Sequence, residues 1–379
     1  MADLSAPDLY QRLSSSAPPR ILDVRNAEEF SRWRVEGPHP VDVLNVPYFE
    51  FVEREDASVR KVTDWLGGRG DLVVVCAEGG SSAYVSEILQ GRGLPAANLA
   101  GGMLAWGLGS TIHPVASAGP VRLWQVLRFG RGCLSYVVAQ GENAVVIDAH
   151  RGLDVYRRLL ETERLRLRAV FDTHLQADHV SGGPALARDA RVAYHASLND
   201  FAGGAVVVED LTDGQPVRLG PLEVLPIVSL GTPGHTPGST SLLVADAFLL
   251  SGDTLFVDDV GRPDLGGQAA LWARDLHRTL HERLQPLKDA SVVLPAHASA
   301  LTPSGPLGVV AGSLGALRRE NEAMRLDLDA FVRKAEGAAG SAPPGYAKIR
   351  EINLGRETAA EEEIHELELG KNQCALSRR

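Results

Sequence analysis

The feature that most constrains this chain is the run Thr173-His174-Leu175-Gln176-Ala177-Asp178-His179, set directly behind an apolar stretch at 169–171. Histidine and carboxylate crowded onto the turn that leaves a strand is how an α/β fold presents side chains at a sheet edge. Three further turns repeat the arrangement: residues 231–239 carry His235, 251–254 carry Asp253, and 294–297 end in His297. Each follows an apolar run, so four loops are expected to converge on one rim. Imidazole and carboxylate together suit zinc or iron, and no thiolate set accompanies them.

At 379 residues the chain fits two domains with an appended tail. Residues 1–112 alternate short β-like runs (21–24, 72–75) with helical stretches (9–13, 82–89), the rhythm of a small open α/β sheet. Around 110–120 the chain turns rich in Gly, Ser, Ala and Pro, and 113–120 is read as a linker. From 121 a hairpin is expected, with strands at 134–138 and 144–147 about a turn at Gly141-Glu142. Further strands are expected at 168–171, 206–208, 222–228, 240–250 and 291–294, with helices at 155–165 and 271–284. Residues 121–305 then form the second domain. The remainder, 306–379, holds a charged helical stretch at 316–336, a Gly/Ala/Ser/Pro linker at 337–345 and an acidic tail, and is expected to be accessory.

Composition narrows the classes. Thirty-eight basic against 48 acidic side chains give a net charge of −10. With no Lys/Arg block, this excludes a nucleic-acid or anionic-membrane binder. No run reaches the roughly 18 consecutive apolar residues of a bilayer span, and residues 1–13 lack the pattern of a secretory signal. Three scattered cysteines, Cys76, Cys133 and Cys374, cannot make a disulfide framework and fit a reducing cytoplasm, the expected location.

Taken together, residues 121–300 resemble the metallo-β-lactamase superfamily, whose hallmark T-H-x-H-x-D-H is reproduced apart from Gln176, which stands at its second histidine. The resemblance implies an αββα sandwich. In the binuclear zinc hydrolases of the superfamily the first metal would take His174, position 176 and His235; the second would take Asp178, His179 and His297, with Asp253 bridging. Gln176 is a poor substitute for imidazole. The set left over, His174, His235 and Asp253, has the two-histidine, one-carboxylate composition of non-haem Fe(II) oxygenases.

Within the superfamily the chain is similar to the persulfide dioxygenases in residues 132–136, in the stretch 252–265 and in the tail 369–374. That likeness implies one Fe(II) per chain, zinc being the alternative, with Asp178, His179 and His297 supporting the ligands. Its substrates would be O₂ and a glutathione-type persulfide, in sulfide detoxification. Arg262 either holds a substrate carboxylate or braces Asp264, and Arg318 and Asn321 fall where the family contacts glutathione. The family often has Asp-Tyr after the last histidine, whereas this chain reads Ala298-Ser299. A homodimer is compatible with the resemblance. The other readings are a glyoxalase II-like zinc thioester hydrolase and a non-catalytic sulfur carrier or sensor.

In the first domain, a buried-strand run at 72–75 ends in Cys76 and is followed by Ala77-Glu78-Gly79-Gly80-Ser81-Ser82 and a helix. Backbone N–H groups and the helix N-terminus there stabilise a thiolate or persulfide. Leu22-Asp23-Val24-Arg25, Asn45-Val46-Pro47 and the run from Leu99 to Trp106 resemble a rhodanese over residues 3–108, with Cys76 at the sulfur-carrying nucleophile. The resemblance implies a parallel sheet flanked by helices and sulfurtransferase activity. Basic residues usual in that loop are replaced by Ala77, Glu78 and Ser81, which disfavours thiosulfate as donor. His277 and His281 lack the Glu of H-E-x-x-H and read as a solvated helix face, and Cys133 as a packed thiol.

Overall fold

The computed structural model describes residues 3–68, 70–218, 224–298, 308–340, 342–343, 345–370 and 373–377. The first strands are short and apolar, and pair in parallel in the order Val43–Asn45, Arg20–Asp23, Leu72–Val75, Ala96–Asn98. Parallel neighbours need crossovers, so helices cover both faces. Alternation along Leu72–Val75 shows it. Val73 and Val75 face a cluster with Leu9, Tyr10 and Trp106, while Leu72, Val74 and Cys76 face Val62, Val85 and Leu89.

The second body is two sheets with helices outside, the αββα sandwich. Among the described residues, seven strands run in the order Glu209–Asp210, Ala193–Ala196, Arg166–Phe171, Asn143–Ile147, Leu134–Gln140, Val121–Arg128, Ser110–Ala118. Six more follow the order Pro216–Arg218, Val224–Gly231, Thr240–Val244, Phe248–Gly252, Val292–Pro295, Gly312–Ser313. Leu123, Leu127, Tyr136 and Phe171 of one sheet interlock with Ile227, Leu242, Leu250 and Leu294 of the other. Outer faces are covered by Asp154–Thr162 and Gly183–Ala190 on one side and Ala269–Arg278 and Leu328–Ala338 on the other. No helix among the described residues is long and apolar enough to cross a membrane.

Several local expectations are corrected. The stretch read as a linker, 113–120, lies mostly in Ser110–Ala118, which pairs antiparallel with Val121–Arg128 as an edge strand. An edge position tolerates Pro114, which a central strand would not. The single strand expected over 240–250 is a hairpin, folded back at Ala245 and Asp246, whose φ angles are 52° and 53°. Residues 206–208 lie outside any strand. The charged stretch 316–336 breaks into Leu314–Glu320, Ala323–Arg325 and Leu328–Ala338, interrupted where Asn321 Oδ1 accepts from the Ala323 N–H. Ser299, residues 222–223 and the boundary at 305/306 lie outside the described residues.

The two bodies share a core. Phe129 stacks on Tyr10 with centroids 4.5 Å apart and meets Trp106 at 4.7 Å. Beside it, Arg128 Nε donates to the Gly107 carbonyl at 2.7 Å and Arg128 Nη2 to Glu368 Oε2 at 2.6 Å. Glu368 belongs to the tail and is buried. Its Oε2 also takes Arg151 Nε at 2.9 Å, and its Oε1 takes the Val180 N–H at 2.8 Å. The tail is therefore integral to the fold, contrary to the accessory role expected of it.

Burial alone would raise the Glu368 carboxyl, but Arg128 and Arg151 outweigh it and hold the group at about 2 against an ordinary 4.5. Stability from this group is fully present above about 4.5 and lost as pH falls through about 2. Glu368→Gln leaves the buried Arg128 guanidinium without its carboxylate, while Arg151 keeps Glu361, and should cost about 3–5 kcal/mol at pH 7. Urea unfolding across pH should show that difference shrinking from about 4.5 downward.

Candidate metal centre

Each of the four loops leaves the end of a strand, and backbone contacts fix where its side chain points. Thr173 N–H donates to Asp148 Oδ1 at 2.8 Å, and Thr173 Oγ1 lies 3.0 Å from both Asp148 oxygens and from His174 Nδ1. With the hydroxyl proton given to Asp148, Oγ1 accepts from Nδ1–H, which leaves His174 Nε2 bare. His235 Nδ1 lies 3.0 Å from the Arg262 carbonyl. A carbonyl only accepts, so Nδ1 carries the proton and His235 Nε2 is bare too. Gly261 makes this approach possible: a Cβ there would sit 1.9 Å from the Asp253 carbonyl and 2.9 Å from His235 Nδ1.

Both bare nitrogens face Asp253 Oδ2, at 3.7 Å from His174 and 3.6 Å from His235. Those separations are too long for hydrogen bonds, and Oδ2 is buried without a hydrogen-bond partner. Three acceptors therefore converge with no proton between them, and the three ligand atoms lie within 4.8 Å of one another. A buried set of that kind is satisfied by a cation. Burial lowers His174 to about 3, so its imidazole stays neutral, as a ligand must be. The residues present thus fit a resident metal ion.

Beside this set lies a second group, Asp178, His179 and His297 with Cys133, whose ligand atoms also lie within 4.8 Å of one another; its carboxylates and imidazoles contact each other, while His179 Nε2 and His297 Nε2 are buried without a hydrogen-bond partner. His297 Nδ1 meets Asp253 Oδ1 at 2.6 Å, and its Nε2 lies 3.0 Å from Asp178 Oδ2. Asp178 Oδ1 meets His179 Nδ1 at 3.0 Å. Burial would lower both histidines, but Cys133 and then Asp178 raise His179, and Asp178 and Asp253 raise His297, well above the ordinary value. Gln176 Nε2 donates to Asp148 Oδ1 at 3.3 Å and its backbone carbonyl accepts from Asn353 Nδ2 at 2.9 Å, while its buried Oε1 has no hydrogen-bond partner.

Residues in the wall escaped the sequence reading. Cys133, read as a packed thiol, lies with Sγ 3.6 Å from His179 Nδ1. Burial raises its thiol, and His179 and His297 bring it down to about 6. Cys374 reaches the same wall from the tail, its sulfur within 4.8 Å of ligand atoms of Asp253 and His297 and 3.7 Å from the Tyr346 hydroxyl. Asp148 and Asn353 position the hallmark loop from elsewhere in the chain. The buried position of Asp148 at the end of an apolar strand was the available signal; the other partners are separated too far in sequence to carry one.

Of the residues considered for substrate, Arg262 is committed to Asp264 through Nε at 2.7 Å and Nη2 at 2.5 Å, the bracing arrangement. Arg318 and Asn321 are not brought to the centre. Arg318 Nη2 donates to the carbonyls of Leu284 and Gln285, and Nη1 pairs with Asp289, ahead of the strand Val292–Pro295 whose far end leads to His297. Asn321 is buried against the Asp259 carbonyl. His277 and His281 stack at 4.1 Å on the outer helix, away from all of these.

Cys76 forms a separate site. Its Sγ accepts from the Gly79 N–H at 3.0 Å and lies 3.1 Å from Ser82 Oγ, at the start of helix Gly80–Gly91. The helix Gly102–Leu108 closes over the loop through Met103 N–H to the Cys76 carbonyl at 2.8 Å. Gly102, at φ 55°, allows this, since a Cβ would lie 2.3 Å from that carbonyl.

Residues 128–297 match the model of the metallo-beta-lactamase superfamily, and residues 5–108 that of the rhodanese-like domain. An uncharacterized protein of Mycobacterium leprae is 34% identical over 45% of this chain and 88% of its own length. Hydroxyacylglutathione hydrolase of Anaeromyxobacter dehalogenans is 30% identical over 57% and 92%. Human mitochondrial persulfide dioxygenase ETHE1 is 26% identical over 48% and 70%. The crystal structure of ETHE1 from Myxococcus xanthus superposes with a TM-score of 0.52 at 26% identity, covering 62% of this chain and 98% of that one.

Metal analysis after dialysis checks the donor set. His174→Ala, His235→Ala and Asp253→Ala should each lose stoichiometric metal. His297→Gln, which removes the support for Asp253 together with the contact to Asp178, should weaken affinity by about 10–100-fold and still fill at saturating metal.

Proposed function

We propose a function from one premise: the chain belongs to the metallo-β-lactamase superfamily, with a rhodanese-like domain fused ahead of that fold. It is a non-haem iron dioxygenase that converts a glutathione-type persulfide, O₂ and water into the thiol and sulfite. The observation that carries the reading is the donor set itself. Two bare imidazole nitrogens and one carboxylate oxygen converge, while Gln176, at the position of a third imidazole, is bonded to Asp148. Two histidines and a carboxylate leave open positions suited to ferrous iron. Iron held there supplies Lewis acidity and a place for sulfur and dioxygen side by side.

The chain's own residues do the rest. His297 bonds Asp253 Oδ1 and keeps Oδ2 turned inward. Thr173 and the Arg262 carbonyl hold the two imidazoles in the tautomer that offers Nε2. Ala177, Phe256, Tyr346 and Cys374 pack as an apolar wall that keeps water from the sulfur. Cys76, in its ring of donors, acts as an accessory carrier of sulfane sulfur. The likeness to a human and a bacterial ETHE1 supports this assignment.

A second reading, zinc-dependent thioester hydrolysis, is favoured by the likeness to the Anaeromyxobacter hydrolase. Oxygen uptake separates the two. Iron-loaded protein given glutathione persulfide should consume O₂ and form sulfite, and His174→Ala should fall to background. Thioester hydrolysis by zinc-loaded protein, with no O₂ consumed by the iron form, would replace the dioxygenase with the hydrolase.

A further inference from the structure

The approach to Cys76 has a chemistry of its own. Phe49, Val52 and Tyr84 are 54%, 57% and 45% exposed. Tyr48 joins them edge-on to Tyr84, with centroids 5.7 Å apart. This patch is carried by the elements that flank the thiol. Tyr48 packs on the cluster that contains Cys76, and its N–H bonds the Val24 carbonyl while the Val24 N–H bonds Val75, one residue before the cysteine. Tyr84 follows by two residues the Ser82 hydroxyl that faces Sγ.

The surrounding charge is predominantly acidic. Segments 47–54 and 77–88 carry Glu50, Glu53, Glu78 and Glu87 against a single cation, Arg54. Phe49 shares a helix face with Val52 and Glu53, and Tyr84 with Glu87. Such a rim repels a small dianion such as thiosulfate and attracts a basic surface with apolar side chains to cover the rings.

We propose that Cys76 draws its sulfane sulfur from a cysteine persulfide on a protein partner that is basic and apolar around that cysteine. The proposal rests on the reading of Cys76 as a sulfur carrier. The Cys76 thiolate attacks the outer sulfur of the partner's Cys–S–SH, and a new S–S bond forms as the old one breaks. The electron pair leaves on the partner's thiolate, and the proton stays on the transferred sulfur. No net oxidation occurs, so no further reactant is needed.

The test follows persulfide on the Cys76 peptide by mass spectrometry in the full-length protein. The donors are a persulfidated peptide flanked by lysine and leucine, its glutamate counterpart, thiosulfate and glutathione persulfide. The lysine-leucine peptide should load Cys76 at least about tenfold faster than the glutamate peptide or thiosulfate, and that advantage should shrink in high salt. Phe49→Ser and Val52→Ser, both at exposed positions, should slow the basic peptide about tenfold, and Glu78→Lys should narrow the gap to thiosulfate. Equal loading by all donors, or fastest loading by thiosulfate, overturns the proposal. Loading by none of them instead removes Cys76 as a sulfur carrier.

Discussion

The buried carboxylate of Glu368 is the constraint on which the rest of the structure depends. One oxygen takes two guanidinium groups, from Arg128 and Arg151, and the other takes the N–H of Val180, the residue after His179. Arg128 continues to the Gly107 carbonyl at the end of the helix that closes over Cys76. A single tail residue therefore ties the hallmark loop, the hairpin strand and the first domain together. Buried charges of this kind add little net stability over apolar packing, but they hold one arrangement, because any other leaves charges unpaired. The position of the hallmark loop, and with it the centre, follows from that arrangement.

At the centre itself, geometry is set by proton placement. Nothing forces an imidazole to offer Nε2 except what Nδ1 is bonded to: the Arg262 carbonyl settles it for His235, and Thr173 Oγ1 does so for His174 when its proton is on Asp148. The strand-end turns make those contacts available, and Gly261 lets the Arg262 backbone come close enough. Asp178, His179 and His297 use the same residue types to opposite effect, pairing with one another. Identical chemistry in adjacent loops thus yields one set whose ligand atoms face each other across a gap and one in which carboxylates contact imidazoles directly.

What could be read from the sequence was whatever is encoded locally. The strand Leu72–Val75, the helix over 82–89 and the four ligand-bearing turns are written in runs of a few residues, and they stand where those runs place them. Contacts across long separations were not legible. Cys374 reaches the centre, and Glu368 the hallmark loop, from a tail whose composition resembles a solvated appendage, and Cys133 looked like any apolar-strand thiol. The strand Ser110–Ala118 was hidden for a different reason. An edge strand accepts Pro and small polar residues, so its composition resembles a linker. Arg318 and Asn321 show the limit of alignment without geometry: they lie near the described ends of outer elements and bond to backbone there.

In the proposed enzyme one metal sits among His174, His235 and Asp253, with Asp178, His179 and His297 as hydrogen-bonded neighbours. Anomalous diffraction at the iron edge, from crystals grown anaerobically with ferrous iron, tests it directly. One peak is expected, bounded by the two imidazoles and the Asp253 carboxylate. Two peaks, or a single peak bounded by Asp178, His179 and His297, would contradict it.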